Sequence, residues 1–228
     1  MIDHSKPLPP NSIPPRPDAV LFDWDGTLVD TFPMIKACYA HMTNHFGLPE
    51  ISDYQIGANM RRSARDLFPE IFGDKADEAF KVFYGFAAKH HLDYLEPMKD
   101  AQEFLSLISS RSIPMGVVSN RKHELLVGEI PYLEWDKYLT CLIGAGEAEK
   151  DKPAPDPLLL AARRMNISTE SCIWYVGDSE TDMQAALAAG MVPVFIEHGL
   201  RQLKDCHNFN IYPYSAKSFS FLLHLVEY

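Results

Sequence analysis

Asp23-Trp24-Asp25-Gly26-Thr27-Leu28-Val29-Asp30-Thr31, directly behind the apolar run Ala19-Val20-Leu21-Phe22, decides how the chain is read. The run predicts a buried strand. Two carboxylates, at i and i+2, stand at its carboxyl end, and a glycine turn follows at once. Carboxylates at the mouth of a core are costly unless a cation or chemistry compensates them. In open α/β sheets, ligands bind beyond the carboxyl ends of strands. The chain therefore begins with a candidate active site.

Outward from this stretch, short apolar strands alternate with helical periodicity. Ile35, Cys38, Tyr39 and Met42 fall on one helical face, with Gly47 as the stop. Ala76, Ala79, Phe80, Phe83, Ala87 and His90 mark a second amphipathic helix. No strand is expected between 32 and 95. Beyond it the spacing predicts a helix on Ala101, Phe104, Leu105 and Ile108, then strands Met115–Val118 and Leu139–Ile143. A helix capped by Asp156 follows, with Pro157 at its first position. Next come strand Cys172–Val176, helix Glu180–Ala189 ending at Gly190, strand Pro193–Ile196 and a last helix over Ser218–Val226. Such alternation implies a parallel sheet with right-handed crossovers. The fold class expected is α/β, with residues 18–32 and 96–228 as the core and 33–95 as a small all-helical insert. Residues 1–17, with six prolines between Pro7 and Pro17, read as an extended or disordered lead-in.

Composition narrows the function. The 228 residues are 46% hydrophobic and 23% charged, an ordinary soluble balance with material for one good-sized core. Asp and Glu number 31 against 21 Lys and Arg, a net charge of −10. That excess argues against nucleic-acid or anionic-membrane binding, though a local cation can still hold an anionic substrate. Cys38, Cys141, Cys172 and Cys206 are scattered without metal-site spacing, as for reduced thiols. No run approaches the roughly 20 apolar residues of a membrane span, and no signal core precedes the first strand. The expected setting is cytoplasmic.

Three further polar groups stand at the ends of later elements. Strand 115–118 ends in Ser119-Asn120, Lys152-Pro153 follows the 139–143 strand, and strand 172–176 ends in Gly177-Asp178-Ser179-Glu180-Thr181-Asp182. Each has a plain structural reading: a helix cap for Ser119-Asn120, a solvated lysine for Lys152, a capping box for Ser179 and Asp182. Their joint, ordered occurrence at strand ends points instead to phosphoryl transfer. Asp23 and Asp178 suit Mg²⁺, a hard cation held by one or two carboxylates plus substrate phosphate. Ser119, Asn120, Lys152 and the turn at Gly26 and Thr27 would neutralise phosphate oxygens. One carboxylate could then attack phosphorus while another moves the proton.

Asp-Trp-Asp-Gly-Thr-Leu-Val-Asp-Thr, Val-Val-Ser-Asn, Lys-Pro-Ala-Pro-Asp-Pro and Gly-Asp-Ser-Glu-Thr-Asp resemble the four ordered motifs of the haloacid dehalogenase superfamily, in its phosphoglycolate-phosphatase-like branch. The resemblance covers residues 18 to 200. It implies a Rossmann-like core with a helical cap, Asp23 as nucleophile and Asp25 as general acid/base. Mg²⁺ would be held by Asp23, the Asp25 backbone carbonyl and Asp178. Ser119 and Lys152 would bind the phosphoryl group, and Asp182 would orient Lys152 or support the metal shell. The substrate implied is a small phosphorylated metabolite. Trp24 lies at a variable position of the first motif, Thr31 stands where serine is usual, and Pro97-Met98 where Pro-Gly is common.

Neighbouring activities separate by residue. Asp25 and Asp178 argue against the metal-free dehalogenases, and a phosphonatase would need a Schiff-base lysine, for which Lys36 qualifies by position only. A phosphomutase shares the whole catalytic set. A receiver-domain phosphoacceptor is about half this length and lacks the Asp-x-Asp-Gly-Thr turn. In the insert, Arg61, Arg62 and Arg65 are candidates to contact a carboxylate or second phosphate on the leaving group, the alternative being a solvated basic face.

Overall fold

The computed structural model describes residues 3–9, 12–60, 62–197, 202–207 and 210–227. Six strands form one sheet: β1 (Ala19–Phe22), β4 (Met115–Lys122), β5 (Leu139–Ala145), β6 (Ile173–Gly177), β7 (Val192–Ile196) and β8 (Tyr214–Ala216). Their order is β5-β4-β1-β6-β7-β8 and every pairing is parallel. Strand order reverses around β1, so its carboxyl end opens into the crevice where such sheets bind ligands.

The strands read as continuous apolar runs because both faces are covered. Val20, Phe22, Val117, Trp174 and Val176 face one layer with α5 (Ala101–Ser110) and α10 (Phe219–Glu227). Leu21, Val118, Ile143, Ile173 and Tyr175 face the other, with α7 (Asp156–Arg164) and α8 (Glu180–Ala188). The two sets alternate along each strand, as period-two side chains must.

Between β1 and α5 lies the helical cap: α1 (Phe32–Phe46), α2 (Asp53–Asn59), α3 (Ala64–Phe72) and α4 (Ala76–His90). Met34, Cys38, Met42, Phe68, Ala79 and Phe83 give it a core of its own. Gly47 ends α1 in the left-handed conformation at φ 63°, as its sequence position suggests. β2 (Val29–Asp30) pairs antiparallel with β3 (Glu96–Pro97), so the two linkers of the cap form one short ribbon. Met98 donates its amide to the Leu28 carbonyl at 2.9 Å, which extends that pairing past Pro97.

Several elements escaped the sequence reading. They are α2 and α3, the ribbon, α6 (His123–Tyr132), α9 (Leu203–His207) and β8. The helix at 156 starts on Asp156, with Pro155 in the cap position and no side-chain cap, so Asp156 does not cap it as expected. The lead-in has neither helix nor strand over 12–17, yet it is pinned: the Trp174 indole donates to the Pro15 carbonyl at 2.7 Å. Tyr212 and His4 exchange backbone and ring hydrogen bonds at 2.9 Å. The four cysteines are free, and Cys38, Cys141 and Cys206 are buried. Among the described residues no helix is long and apolar enough to cross a membrane.

Candidate active site

Asp23 follows β1 by one residue, its amide bonded to the Val176 carbonyl of β6 at 2.9 Å. That pairing sets it beside Asp178, the residue after β6. The turn between is compact: the amides of Thr27, Leu28 and Val29 all reach the Trp24 carbonyl, and Gly26 donates to Val29. Gly26 has φ +80°, and a Cβ there would lie 2.5 Å from Asp178 Oδ2. Only glycine satisfies both demands. The Thr27 hydroxyl donates to Asp178 Oδ1 at 3.2 Å.

β4 continues four residues beyond its expected end. Its register against β5 shifts between Val118 and Lys122, and this irregularity re-aims Ser119, Asn120 and Arg121. Asn120 clamps Lys152: its amide donates to the Lys152 carbonyl at 2.9 Å and its oxygen accepts the Lys152 amide at 3.0 Å. The Lys152–Pro153 peptide is cis. Gly26, Thr27 and Asn120, read from the sequence as phosphate contacts, are thus engaged in holding Asp178 and Lys152.

The Lys152 ammonium is buried and directs its donors at three groups. Asp23 Oδ1 lies at 2.8 Å, Asp182 Oδ1 at 2.7 Å and the Tyr175 hydroxyl at 2.7 Å. Burial alone would lower the Lys152 pKa, but Asp182 and Asp23 outweigh it and hold it above the ordinary value. Tyr175 in turn donates to the Val118 carbonyl at 2.7 Å. Asp182 also accepts the Ser179 amide at 3.0 Å and hydroxyl at 2.5 Å, completing a capping box on α8. Asp182 is therefore both a cap and the residue that orients Lys152. Gly177 leaves it room, since a Cβ there would meet Asp182 at 2.5 Å.

Asp23, Asp178 and Asp182 are all buried, with a carboxylate oxygen from each within 4.8 Å of the others. Against one ammonium these three leave two negative charges in excess, which a divalent cation would balance. Burial pushes the Asp23 carboxyl up to about 7 against the pull of Lys152, with Asp182, Asp178 and Asp25 adding to the rise. Asp23 Oδ1 has the Lys152 charge nearby but lies off hydrogen-bonding angles. An under-satisfied buried oxygen among hard carboxylate donors fits Mg²⁺. Both Asp182 oxygens already accept hydrogen bonds.

Asp25, its side chain 15% exposed, accepts from Arg121 Nη1 at 2.9 Å. Arg121, Tyr175, Trp24 and Glu129 were missed as site residues. The available signals were slight: an arginine behind Ser-Asn, a tyrosine inside a strand, and Glu129 as a charge amid the apolar residues of α6.

Above Asp23, Asp25, Ser119 and Lys152 a cleft runs between core and cap, walled by Tyr39, Met60 and Tyr84 on the cap side. Arg62 borders it but is forked onto Glu70 at 2.6 and 2.8 Å. Arg65 turns to the core instead, with Nε 3.3 Å from Asp151 Oδ2. Arg61 lies outside the described residues. Lys36 pairs with Asp53 at 2.7 Å on the surface and does not line the cleft.

Residues 20–196 match the family model described as haloacid dehalogenase-like hydrolase. The chain is 32% identical over 189 residues to a phosphoglycolate phosphatase of Xanthomonas campestris, covering 81% of this chain and 85% of that one. It is 31% identical over 220 residues to a phosphoglycolate phosphatase of Escherichia coli, covering 79% and 81%. Over 192 residues it is 31% identical to PpaX of Caldanaerobacter subterraneus, named as a pyrophosphatase, covering 78% and 81%. A haloacid dehalogenase-like family hydrolase of Streptococcus pneumoniae shares the fold, with a TM-score of 0.79 at 20% identity over 90% of this chain and 96% of that one. The chain belongs to the haloacid dehalogenase-like hydrolases. Its relatives place it on the phosphatase side of that family.

Proposed function

We propose that this enzyme is a Mg²⁺-dependent phosphatase that hydrolyses a small soluble phosphate monoester through an aspartyl-phosphate on Asp23. The observation that carries the reading is the buried convergence of Asp23, Asp178 and Lys152 at the sheet's reversal point, with Asp25 facing the same cleft. Asp23, Asp178 and the Asp25 backbone carbonyl would hold Mg²⁺, which supplies charge for the phosphoryl oxygens when bound.

The residues divide the work. Ser119 and Lys152 bind the phosphoryl group and offset its charge. A carboxylate oxygen of Asp23 forms a bond to phosphorus, the ester P–O bond breaks, and Asp25 passes its proton to the leaving oxygen. Asp25 then takes a proton from the water that attacks phosphorus, and Asp23 is regenerated. Asn120, Asp182 and Tyr175 keep Lys152 aimed, while Gly26 and Thr27 keep Asp178 in place. The cap closes over the cleft and excludes water. Free thiols suit a reducing compartment, and we assign the enzyme to the cytoplasm.

Phosphate release from phosphoglycolate, sugar phosphates, nucleoside monophosphates and phosphoamino acids tests this. Turnover should require Mg²⁺, stop with EDTA and vanish in Asp23→Asn. Metal-independent release, or full activity in Asp23→Asn, would refute it.

A further inference from the structure

Beneath the cleft runs a charge network that the chemistry above leaves unused. Arg121 leaves the irregular end of β4 with its side chain 4% exposed. Nη1 donates to Asp25 Oδ1 at 2.9 Å, and Nη2 donates to Glu129 Oε1. Glu129 is wholly buried in α6. Its Oε2 accepts the Trp24 indole N–H at 2.7 Å, and its Oε1 faces His91 Nδ1 at 2.7 Å. Trp24 is itself held edge-on against Trp135, centroids 5.8 Å apart. His91 closes α4, where the cap chain turns back to the core. Two braces, Trp24 and His91, thus converge on the carboxylate that steadies Arg121.

A buried guanidinium needs a counter-charge, and one carboxylate, Glu129, would be enough to supply it. The second arm of the fork nevertheless ends on Asp25, which borders the cleft together with Arg121 itself. A planar guanidinium anchored on Glu129 by one arm presents the other N–H to Asp25 Oδ1 from a fixed direction, which an ammonium on a flexible stem does not. We propose that Arg121 is the positioning residue for Asp25. Braced by Glu129, it holds the carboxyl at the angle from which a proton reaches the ester oxygen. The inference rests on the reading of Asp25 as acid/base.

That role has a signature separable from stability. When Asp23 bonds to phosphorus, the electron pair of the breaking P–O bond goes to the leaving oxygen. An alkoxide needs the Asp25 proton at that moment; p-nitrophenolate leaves without it. The constant kcat/KM covers steps only up to release of the alcohol, so later attack by water does not enter it. The experiment compares kcat/KM for p-nitrophenyl phosphate and the best alkyl phosphate in wild type, Asp25→Asn, Arg121→Lys and the double variant Arg121→Met/Glu129→Gln. The double variant leaves no unpaired charge buried at position 129, and Arg121→Lys decides the matter if the double variant fails to fold.

Both Arg121 variants should lose about 10²-fold on the alkyl ester and less than about 3-fold on the aryl ester. Equal losses on both esters, with Asp25→Asn still separating them, would overturn the proposal and leave the acid/base reading intact. If Asp25→Asn fails to separate them, the acid assignment falls and the proposal falls with it.

Discussion

At the scale of single residues the site is a balance of burial against charge. Asp23, Asp178 and Asp182 crowd their carboxylates within 4.8 Å, Gly26 leaves room for Asp178, and the Thr27 hydroxyl holds it. Replacing Asp178 by Asn keeps an oxygen for the Thr27 hydroxyl while removing one of the repelling charges. In EDTA, Asp178→Asn should therefore melt at or above the wild-type temperature. Saturating Mg²⁺ should stabilise wild type by about 2.7 kcal/mol at a hundredfold excess over Kd, roughly 2–4 °C per kcal/mol for a chain of this size. The variant should gain none of it; an equal rise in both would remove Asp178 from the ligands. The acids themselves were readable in the sequence because charges directly behind apolar strands are rare without purpose. Tyr175 and Glu129 were not, since each sits inside an apolar run and shows its role only through a partner far along the chain: Lys152 for Tyr175, Trp24 for Glu129.

At the scale of elements, loops are fastened to the sheet by a few polar clamps. Glu147, just past β5, accepts the Gly144 amide and Arg164 Nη1, each at 2.7 Å, and lies 2.6 Å from His123 Nδ1. It thereby ties the start of α6 to the end of α7. Burial would raise its pKa, but the Gly144 amide, Arg164 and His123 outweigh burial and hold it below its ordinary 4.5. A depressed carboxylate stabilises the fold above its unfolded value and loses that contribution as pH falls through the folded one. Glu147→Gln should cost about 1 kcal/mol at pH 7, the low end because Arg164 is half-exposed and screened. Denaturant titrations should show the difference shrinking below about pH 4.5; a difference independent of pH would mean the charge is not used. Long helices and buried strands such as α1, α4 and β6 followed from periodicity alone. The ribbon β2–β3 is too short to have a period, and α2 and α3 begin at Ser52 and Ser63 caps that only hindsight separates from loop serines.

At the scale of the whole molecule, the cap meets the core through side-chain contacts besides the ribbon. Arg65 of α3 reaches Asp151, buried beside Lys152, and approaches the Glu149 carbonyl at 3.5 Å. This assigns to cap–core docking a residue the sequence offered for substrate. Arg65→Ala should raise amide exchange in the linkers at 29–32 and 91–98 and leave that in β6 unaltered. Unchanged exchange in the linkers would show the contact to be incidental. By itself the sequence determined the parallel α/β core, the place of the helices between its first strand and α5, and the acids that gather with Lys152, because burial periodicity and misplaced charge are local signals. Only the tertiary structure decided which cations hold which carboxylates, that Asn120 serves Lys152, and that Trp24 and His91 meet on Glu129. Those pairings join residues tens of positions apart, and no spacing along a chain records which distant groups folding brings within hydrogen-bond reach.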